Sequence, residues 1–178
     1  MNPATDQAMK PKYLIFIPAH QAARTISRVM LKLAKLPMDF DVLVVDNNSQ
    51  DKTLEVVESV IKEHSFKGYH LIRNIKNHGY GGSQKIALFF GIYNGYDKLM
   101  IIHADDQYPV EYIPQLAEFN SKSNAAMSLG TRLKHPDIKK VMPIWRYLIN
   151  YTVSTINNFV YGLKLDEWNS EFRIYDLK

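Results

Sequence analysis

Leu99-Met100-Ile101-Ile102-His103-Ala104-Asp105-Asp106-Gln107-Tyr108-Pro109 is the stretch about which the chain is organised. Its first four residues are apolar, the pattern of a short strand buried on both faces. The run then breaks into polar residues, and Pro109 predicts the close of this segment and the opening of a helix. In an open α/β sheet, ligands bind beyond the carboxyl ends of the strands. At such an end Asp105 and Asp106 are candidate ligands for a hard divalent cation held against a phosphate. The other reading is that Asp105 caps the next helix while Asp106 faces solvent. This segment alone leaves both open.

The flanking sequence supplies the context. Tyr13-Leu14-Ile15-Phe16-Ile17 is a second apolar run, stopped by Pro18, and predicts another buried parallel strand. From Ala22 to Leu36, Ile26, Val29, Met30, Leu33 and Leu36 recur at helical spacing, and Pro37 closes the pattern. A strand over Asp41–Asp46 runs into the polar loop from Asn47 to Asp51. Leu54, Val57, Val60 and Ile61 mark a second amphipathic helix ending near His64. A strand from Tyr69 to Ile72 then leads to Asn77-His78-Gly79-Tyr80-Gly81-Gly82, and Ile86, Ala87 and Phe90 begin a third helical pattern that Gly95 stops. Strand and helix therefore alternate three times before the strand at Leu99. That alternation predicts a single α/β domain with a mainly parallel sheet and helices on both faces. Asp46 with Asn47, the glycine segment and His103 to Gln107 then fall along one edge of the sheet, which favours the ligand reading of Asp105.

Gly79, Gly81 and Gly82 fit neither G-x-G-x-x-G nor G-x-x-x-x-G-K-[ST]. A tight turn requiring positive φ is the simpler reading. Presentation of backbone N–H groups to a phosphate, with Lys85 one helical turn on, is the other.

Beyond Pro109, Tyr112, Ile113, Leu116 and Phe119 form a helix face, and Ala125–Leu129 reads as a strand ending in Gly130-Thr131-Arg132. Arg132, Lys134, His135, Lys139, Lys140 and Arg146 make a basic stretch, either a solvated loop or a contact zone for diphosphate or anionic lipid. Arg132 stands out because a guanidinium grips phosphate through two parallel hydrogen bonds. A long helix from Pro143 to Tyr161 carries Ile144, Tyr147, Leu148, Tyr151, Ile156, Phe159 and Val160, and is expected to pack on the sheet. Trp145, the tyrosines and the basic residues upstream suggest the alternative of a helix lying in a membrane interface. Asp166 to Arg173 reads as a site-facing loop before a last strand at Ile174-Tyr175.

Composition narrows the classes. The 178 residues are 46% hydrophobic, enough for one domain core, and the net charge is +4 with pI near 9.1. The absence of cysteine excludes a disulfide framework and any thiolate metal site, and suits a reducing, cytoplasmic compartment. Residues 1–12 are polar and are expected to form a flexible amino-terminal segment. No stretch approaches the ~18 apolar residues of a membrane span.

Phe16-Ile17-Pro18-Ala19-His20, Val44-Val45-Asp46-Asn47-Asn48-Ser49-Gln50-Asp51-Lys52-Thr53 and His103-Ala104-Asp105 resemble the family 2 glycosyltransferases of GT-A fold. Asn77 to Gly82 with Gln84-Lys85, Gly130-Thr131-Arg132 and Ser170-Glu171-Phe172-Arg173 are similar to the dolichol-phosphate mannosyltransferase branch, which includes polyprenyl-phosphate sugar transferases. The resemblance spans Tyr13 to Tyr175. It implies a GT-A domain over 13–178, with a nucleotide-binding half of about 13–108 and an acceptor-side half of about 109–178. The implied reaction moves a sugar, with inversion, from a UDP- or GDP-linked donor to a polyprenyl phosphate or glycan, at the cytoplasmic face of a membrane and without nucleic acid.

The same resemblance, with the local readings above, implies a nucleotide-binding set of Pro18, Ala19, His20, Asp46, Asn47, Gly81, Lys85 and Ala104. Asp105 would hold Mg²⁺ or Mn²⁺ on the diphosphate, with His103 and Asp106 as secondary ligands. Asp105, Asp106, Arg132 and Arg146 form the catalytic set, and Gln107, Ser170 and Arg173 the sugar and acceptor side. Several positions depart from the family pattern. His103 replaces the first aspartate of a D-x-D motif, and imidazole suits Mn²⁺ better than Mg²⁺. Asp46-Asn47 replaces an acidic pair, His20-Gln21 an Asn-Glu pair, and Glu171 a glycine. A module that binds nucleotide sugar without turnover, and a nucleotidyltransferase, are the competing functions.

Overall fold

Strands buried on both faces need cover on both sides, and that requirement shapes the molecule. The structure, a computed structural model, describes residues 11–64, 67–123, 125–134, 138 and 142–178. In chain order the elements are β1 (Tyr13–Ala19), α1 (Ile26–Leu33), β2 (Asp41–Asp46), α2 (Thr53–Glu63), β3 (Tyr69–Arg73), α3 (Gly79–Tyr93), β4 (Lys98–Ile101), a 3₁₀ turn (Val110–Tyr112), α4 (Ile113–Ser123), β5 (Met127–Leu129), α5 (Ile144–Tyr161) and β6 (Arg173–Asp176).

The six strands form one sheet in the order β3-β2-β1-β4-β6-β5. β3, β2, β1 and β4 are mutually parallel, and β6 runs antiparallel between β4 and β5. Alternate residues of each apolar run go to opposite cores, as strand geometry requires. Ile15, Ile17, Val42, Val44 and Met100 join α1, α2 and α4 on one face. Leu14, Phe16, Leu43, Val45, Leu99 and Ile101 meet Ala87 of α3 on the other. The chain leaves β1 towards β2 on one side and pairs β1 with β4 on the other, so strand order reverses between β1 and β4. Such a reversal opens a crevice beyond the carboxyl ends of the two strands.

The fold class is the one the alternation predicts, with local corrections. Pro18 does not stop β1, which continues to Ala19 opposite β2. On the β4 side pairing ends at Phe16–Ile101, where proline's missing N–H interrupts the ladder. α1 begins at Ile26 and not at Ala22, because Thr25 leaves the helical dihedrals (φ −123°, ψ −33°) and the residues just before it form turns. Gln21, Ala22 and Ala23 donate to Ser49 Oγ (3.0 Å), Thr53 Oγ1 (2.8 Å) and Asp51 Oδ2 (3.1 Å). Tyr112 and Phe119 are exposed, so the inner face of α4 is Ile113, Leu116, Ala117 and Asn120. Residues 1–10 of the expected amino-terminal segment lie outside the described residues. Lys12 is anchored, its N–H donating to Asp97 Oδ2 (2.6 Å) and its ammonium sitting 3.9 Å from the Tyr96 ring centre.

α5 departs furthest from expectation. Of its residues only Ser154 is buried, while Leu148, Ile156, Phe159 and Val160 are exposed. It does not pack its apolar stripe on the sheet.

Thr53 is fully buried, accepting the Ala22 N–H and bonding to Asp51 Oδ1. Thr53→Val strands the Ala22 N–H and is expected to destabilise the fold by about 1–3 kcal/mol, measured by urea denaturation.

Candidate active site

The crevice between β1 and β4 is a cavity of about 480 Å³. Pro18, Ala19 and His20 enter it from β1, Asn47 from β2, and His103, Ala104 and Asp105 from the end of β4. Tyr80 and Ser83 close it from α3, and Glu171 from the loop before β6. A wider hollow of about 670 Å³ lies at the opposite, amino ends of β1, β2 and β3. Its one carboxylate within the sheet, Asp41, is taken by the Tyr96 hydroxyl at 2.6 Å. The strand-end rule and the clustering of chemistry both favour the smaller cavity.

Asn47 organises the β2 side of the cavity. Its Oδ1 accepts Asn74 Nδ2 (2.9 Å) and the His78 N–H (2.9 Å), and its Nδ2 donates to Asn77 Oδ1 (2.8 Å). Asn77 Oδ1 also accepts the Gly79 N–H (2.7 Å), and its Nδ2 lies 3.4 Å from His20 Nε2. One side chain thereby ties the end of β2 to the start of α3. The glycine segment proves to be the first turn of that helix. Gly79 alone of the three has positive φ (69°). A Cβ on Gly82 would lie 2.5 Å from the His78 Cβ, so this glycine serves close approach and not a turn.

On the β4 side, His103 lies between the rings of Tyr80 (5.3 Å) and Tyr108 (5.7 Å), with its Nε2 against Glu171 Oε2. His103 holds the Glu171 carboxyl below its ordinary pKa. Burial pushes the Tyr80 and Tyr108 phenols up, so both are neutral donors at physiological pH. Asp105 is exposed at the rim, and among the described residues its Oδ1 accepts only the Gln107 N–H (3.1 Å).

Pro18, Ala19, His20, Asn47, His103, Ala104 and Asp105 are thus brought together as the sequence predicts. Other candidates are engaged elsewhere. Asp46 is fully buried, accepts the Ser49 N–H (3.2 Å) and pairs with Arg73 (3.6 Å). Asp106, with φ of 62°, is held by Lys32 (2.7 Å) and Arg28 (3.7 Å) of α1, so it is not placed as a metal ligand or a base in the cavity. Gly81 and Lys85 are exposed outside the cavity wall, and so is Gln107. Arg146 is exposed on α5 beside the Trp145 ring. Arg173 donates to the Ser170 and Trp168 carbonyls, fixing the 168–173 loop, and Ser170 is buried beneath it. Arg132 donates through its backbone N–H (2.7 Å), Nε (3.1 Å) and Nη2 to the fully buried Glu167. His135, Lys139 and Lys140 lie outside the described residues.

Sequence reasoning gave no role to Tyr80, Ser83 or Asn77. For Asn77 and Tyr80 the signal lies in Asn77-His78-Gly79-Tyr80, a polar and aromatic segment at a strand end; Ser83 has none.

The family model for glycosyl transferase family 2 matches residues 14–174. The chain belongs to that family. It is 27% identical over 165 residues to the undecaprenyl-phosphate mannosyltransferase of Micrococcus luteus, covering 92% of this chain and 66% of that protein. Among solved structures, the Pyrobaculum calidifontis mannosyltransferase PcManGT, in complex with GDP-Man and Mn²⁺, superposes with TM-score 0.62 at 18% identity over 75% of this chain and 39% of its own. Staphylococcus aureus TarS 1-349 in complex with UDP gives TM-score 0.56 at 24% identity, over 66% and 34%. The fold is accordingly that of the GT-A glycosyltransferases, and the chain spans about two thirds of the Micrococcus relative.

Glu167 holds Arg132 in place from inside the protein. Glu167→Gln is expected to cost about 1–3 kcal/mol, less than for a fully buried pair because the guanidinium reaches solvent. Thermal and urea unfolding measure it. Because the folded pKa of Glu171 is lowered, its stabilising contribution is present above the ordinary value of 4.5 and is lost as pH falls through the folded value. Glu171→Gln should flatten the acid limb of the melting temperature against pH.

Proposed function

We propose that the protein transfers a sugar from a nucleoside-diphosphate donor to a polyprenyl phosphate at a membrane surface. The observation that carries this reading is Asp105 standing at the mouth of the β1/β4 crevice, in a chain of this family. The likeness to an undecaprenyl-phosphate mannosyltransferase supports mannose and a lipid phosphate. Neighbours that hold GDP-Man and UDP keep both bases in play.

The residues present fit a divalent cation bound chiefly through its substrate. Among the described residues no group of three His, Asp or Glu side chains is placed to hold a metal ion. Mg²⁺ commonly takes one or two protein carboxylates with substrate phosphates and water. Among the described residues Asp105 has a carboxylate oxygen that accepts no hydrogen bond, which suits that mode, whereas His103 Nε2 is taken by Glu171. The cation, when bound, neutralises charge developing on the leaving diphosphate.

The protein's own groups do the rest. Pro18, Ala19 and Asn47 shape the nucleotide pocket, with Asn77 and His20 at its edge. An acceptor phosphate oxygen attacks the anomeric carbon as the bond to the diphosphate breaks, so configuration inverts and nucleoside diphosphate leaves. The acceptor is already anionic and needs no strong base. Arg132 follows Gly130, whose N–H donates to the Phe172 carbonyl (2.9 Å) next to Glu171, which supports a position for it near the cavity rim. Glu167 uses only some of its five N–H donors and fixes its orientation beforehand, which suits a phosphate contact.

A second reading, binding without turnover, draws on His103 paired with Glu171 where a hard oxygen ligand would otherwise be found. Titration with UDP and GDP, with and without Mn²⁺, followed by an assay for released nucleoside diphosphate, separates the two. Asp105→Ala should leave the circular dichroism spectrum unchanged and lower transfer by roughly 10²-fold or more. A fully active, metal-insensitive Asp105→Ala protein would overturn the assignment. Tight nucleotide binding without release, across a panel of sugars and polyprenyl phosphates, would support the second reading.

A further inference from the structure

Asp105 and Asp106 are neighbours in sequence and part company in the structure. Asp105 lines the crevice, whereas the Asp106 side chain, 14% exposed, turns to α1. Its Oδ1 accepts a hydrogen bond from Lys32 Nζ (2.7 Å), and its Oδ2 lies 3.7 Å from Arg28 Nε. Arg28 and Lys32 are four residues apart and so share one side of the helix. A single exposed ion pair holds little. Here two cations converge on one carboxylate that is largely out of solvent, and the tie is correspondingly firmer.

The backbone at Asp106 shows why a tie is needed. Its φ is 62°, in the left-handed region that residues other than glycine enter at a cost, aspartate less than most. Asp105 Oδ1 accepts the Gln107 N–H (3.1 Å), so the chain reversal is centred on Asp106. A change of Asp106 to negative φ would open this turn and move Asp105 with it. Further along, Val110 is buried in the same core as Ile26, Val29 and Met30 of α1. α1 itself starts at the crevice, since Ala22 and Thr25 just ahead of it line the wall. Asp106 therefore joins the segment after β4 to the helix after β1, across the gap that the strand order opens. The two cations also compensate the Asp106 charge, leaving that of Asp105 to the crevice.

We propose that Arg28 and Lys32, acting through Asp106, hold the turn after β4 in the conformation that presents Asp105 to the crevice. Asp106 is then a positioning residue and does not touch the ligand. The consequence for a cation rests on the reading above, in which Asp105 holds it against the diphosphate. The hold itself belongs to the protein alone.

The hold is tested first without ligand. Amide hydrogen exchange at Gln107, followed by NMR, should quicken roughly tenfold in the Arg28→Met, Lys32→Met double variant and in Asp106→Ala, as expected of a strained turn that has lost its support. The double variant alters only exposed side chains and carries the test where Asp106→Ala does not fold. Calorimetric titration with UDP and with GDP then reads the consequence. With Mn²⁺ present, the double variant should bind about tenfold more weakly than the parent, and without Mn²⁺ equally well, because a presenting turn populated one time in ten lowers apparent affinity by that fraction. Asp106→Gly and Asp106→Asn tolerate positive φ and should keep more of the Mn²⁺-dependent binding than Asp106→Ala. Were Asp106 itself a ligand of the cation, its three variants would fall alike, and the double variant, freed of competing charge, would bind more tightly with Mn²⁺. Either result would overturn the proposal, and so would Gln107 exchange that stays at the parent rate. A parent whose nucleotide binding ignores Mn²⁺ removes the metal reading and leaves the exchange rates to decide whether α1 holds the turn.

Discussion

The pairing of β1 with both β2 and β4 is the constraint on which the rest of the molecule depends. Two parallel ladders on one strand demand crossover helices on both faces, because each crossover must return over the sheet with the same hand. Once α1 and α2 lie on one side and α3 on the other, the chain ends that leave β1 and β4 diverge. The resulting gap cannot be filled by either set of helices. It is filled by loops, and loops can carry side chains that a core would not tolerate. Pro18 marks the transition, since β1 stays paired to β2 there but leaves β4. The cavity is therefore a product of topology before it is a product of chemistry.

What the sequence made legible follows from how local each signal is. Two-faced burial leaves near-continuous apolar runs, so β1, β2 and β4 were readable, and their carboxyl ends located the cavity. α1 was read too long because the turn segment before it, Gln21 to Ala23, is tied across the chain to Ser49, Asp51 and Thr53, which periodicity does not see. Residue types gave candidate ligands but not their existing partners. Asp46, Asp106 and Arg132 all carry the right chemistry, and each is already held by Arg73, Lys32 or Glu167. α5 shows the sharpest limit. An apolar stripe tells that one face differs from the other. It does not tell which face the protein uses, and here hydrogen bonds to Trp168 and Leu165 decided that the polar face goes inward.

Asp105 gains its meaning from this pattern of existing partnerships. Around the cavity, His103 is matched with Glu171, Arg132 with Glu167, and Asp106 with α1. Asp105 accepts one backbone N–H and, among the described residues, no cationic side chain. A carboxylate at a strand end with spare lone pairs, facing a crevice whose other walls are neutral or compensated, is the group whose charge is left for a ligand to satisfy. A diphosphate cannot satisfy it directly, being an anion itself. The pair becomes favourable only with a cation between them, and this electrostatic balance is what the proposed divalent ion would supply.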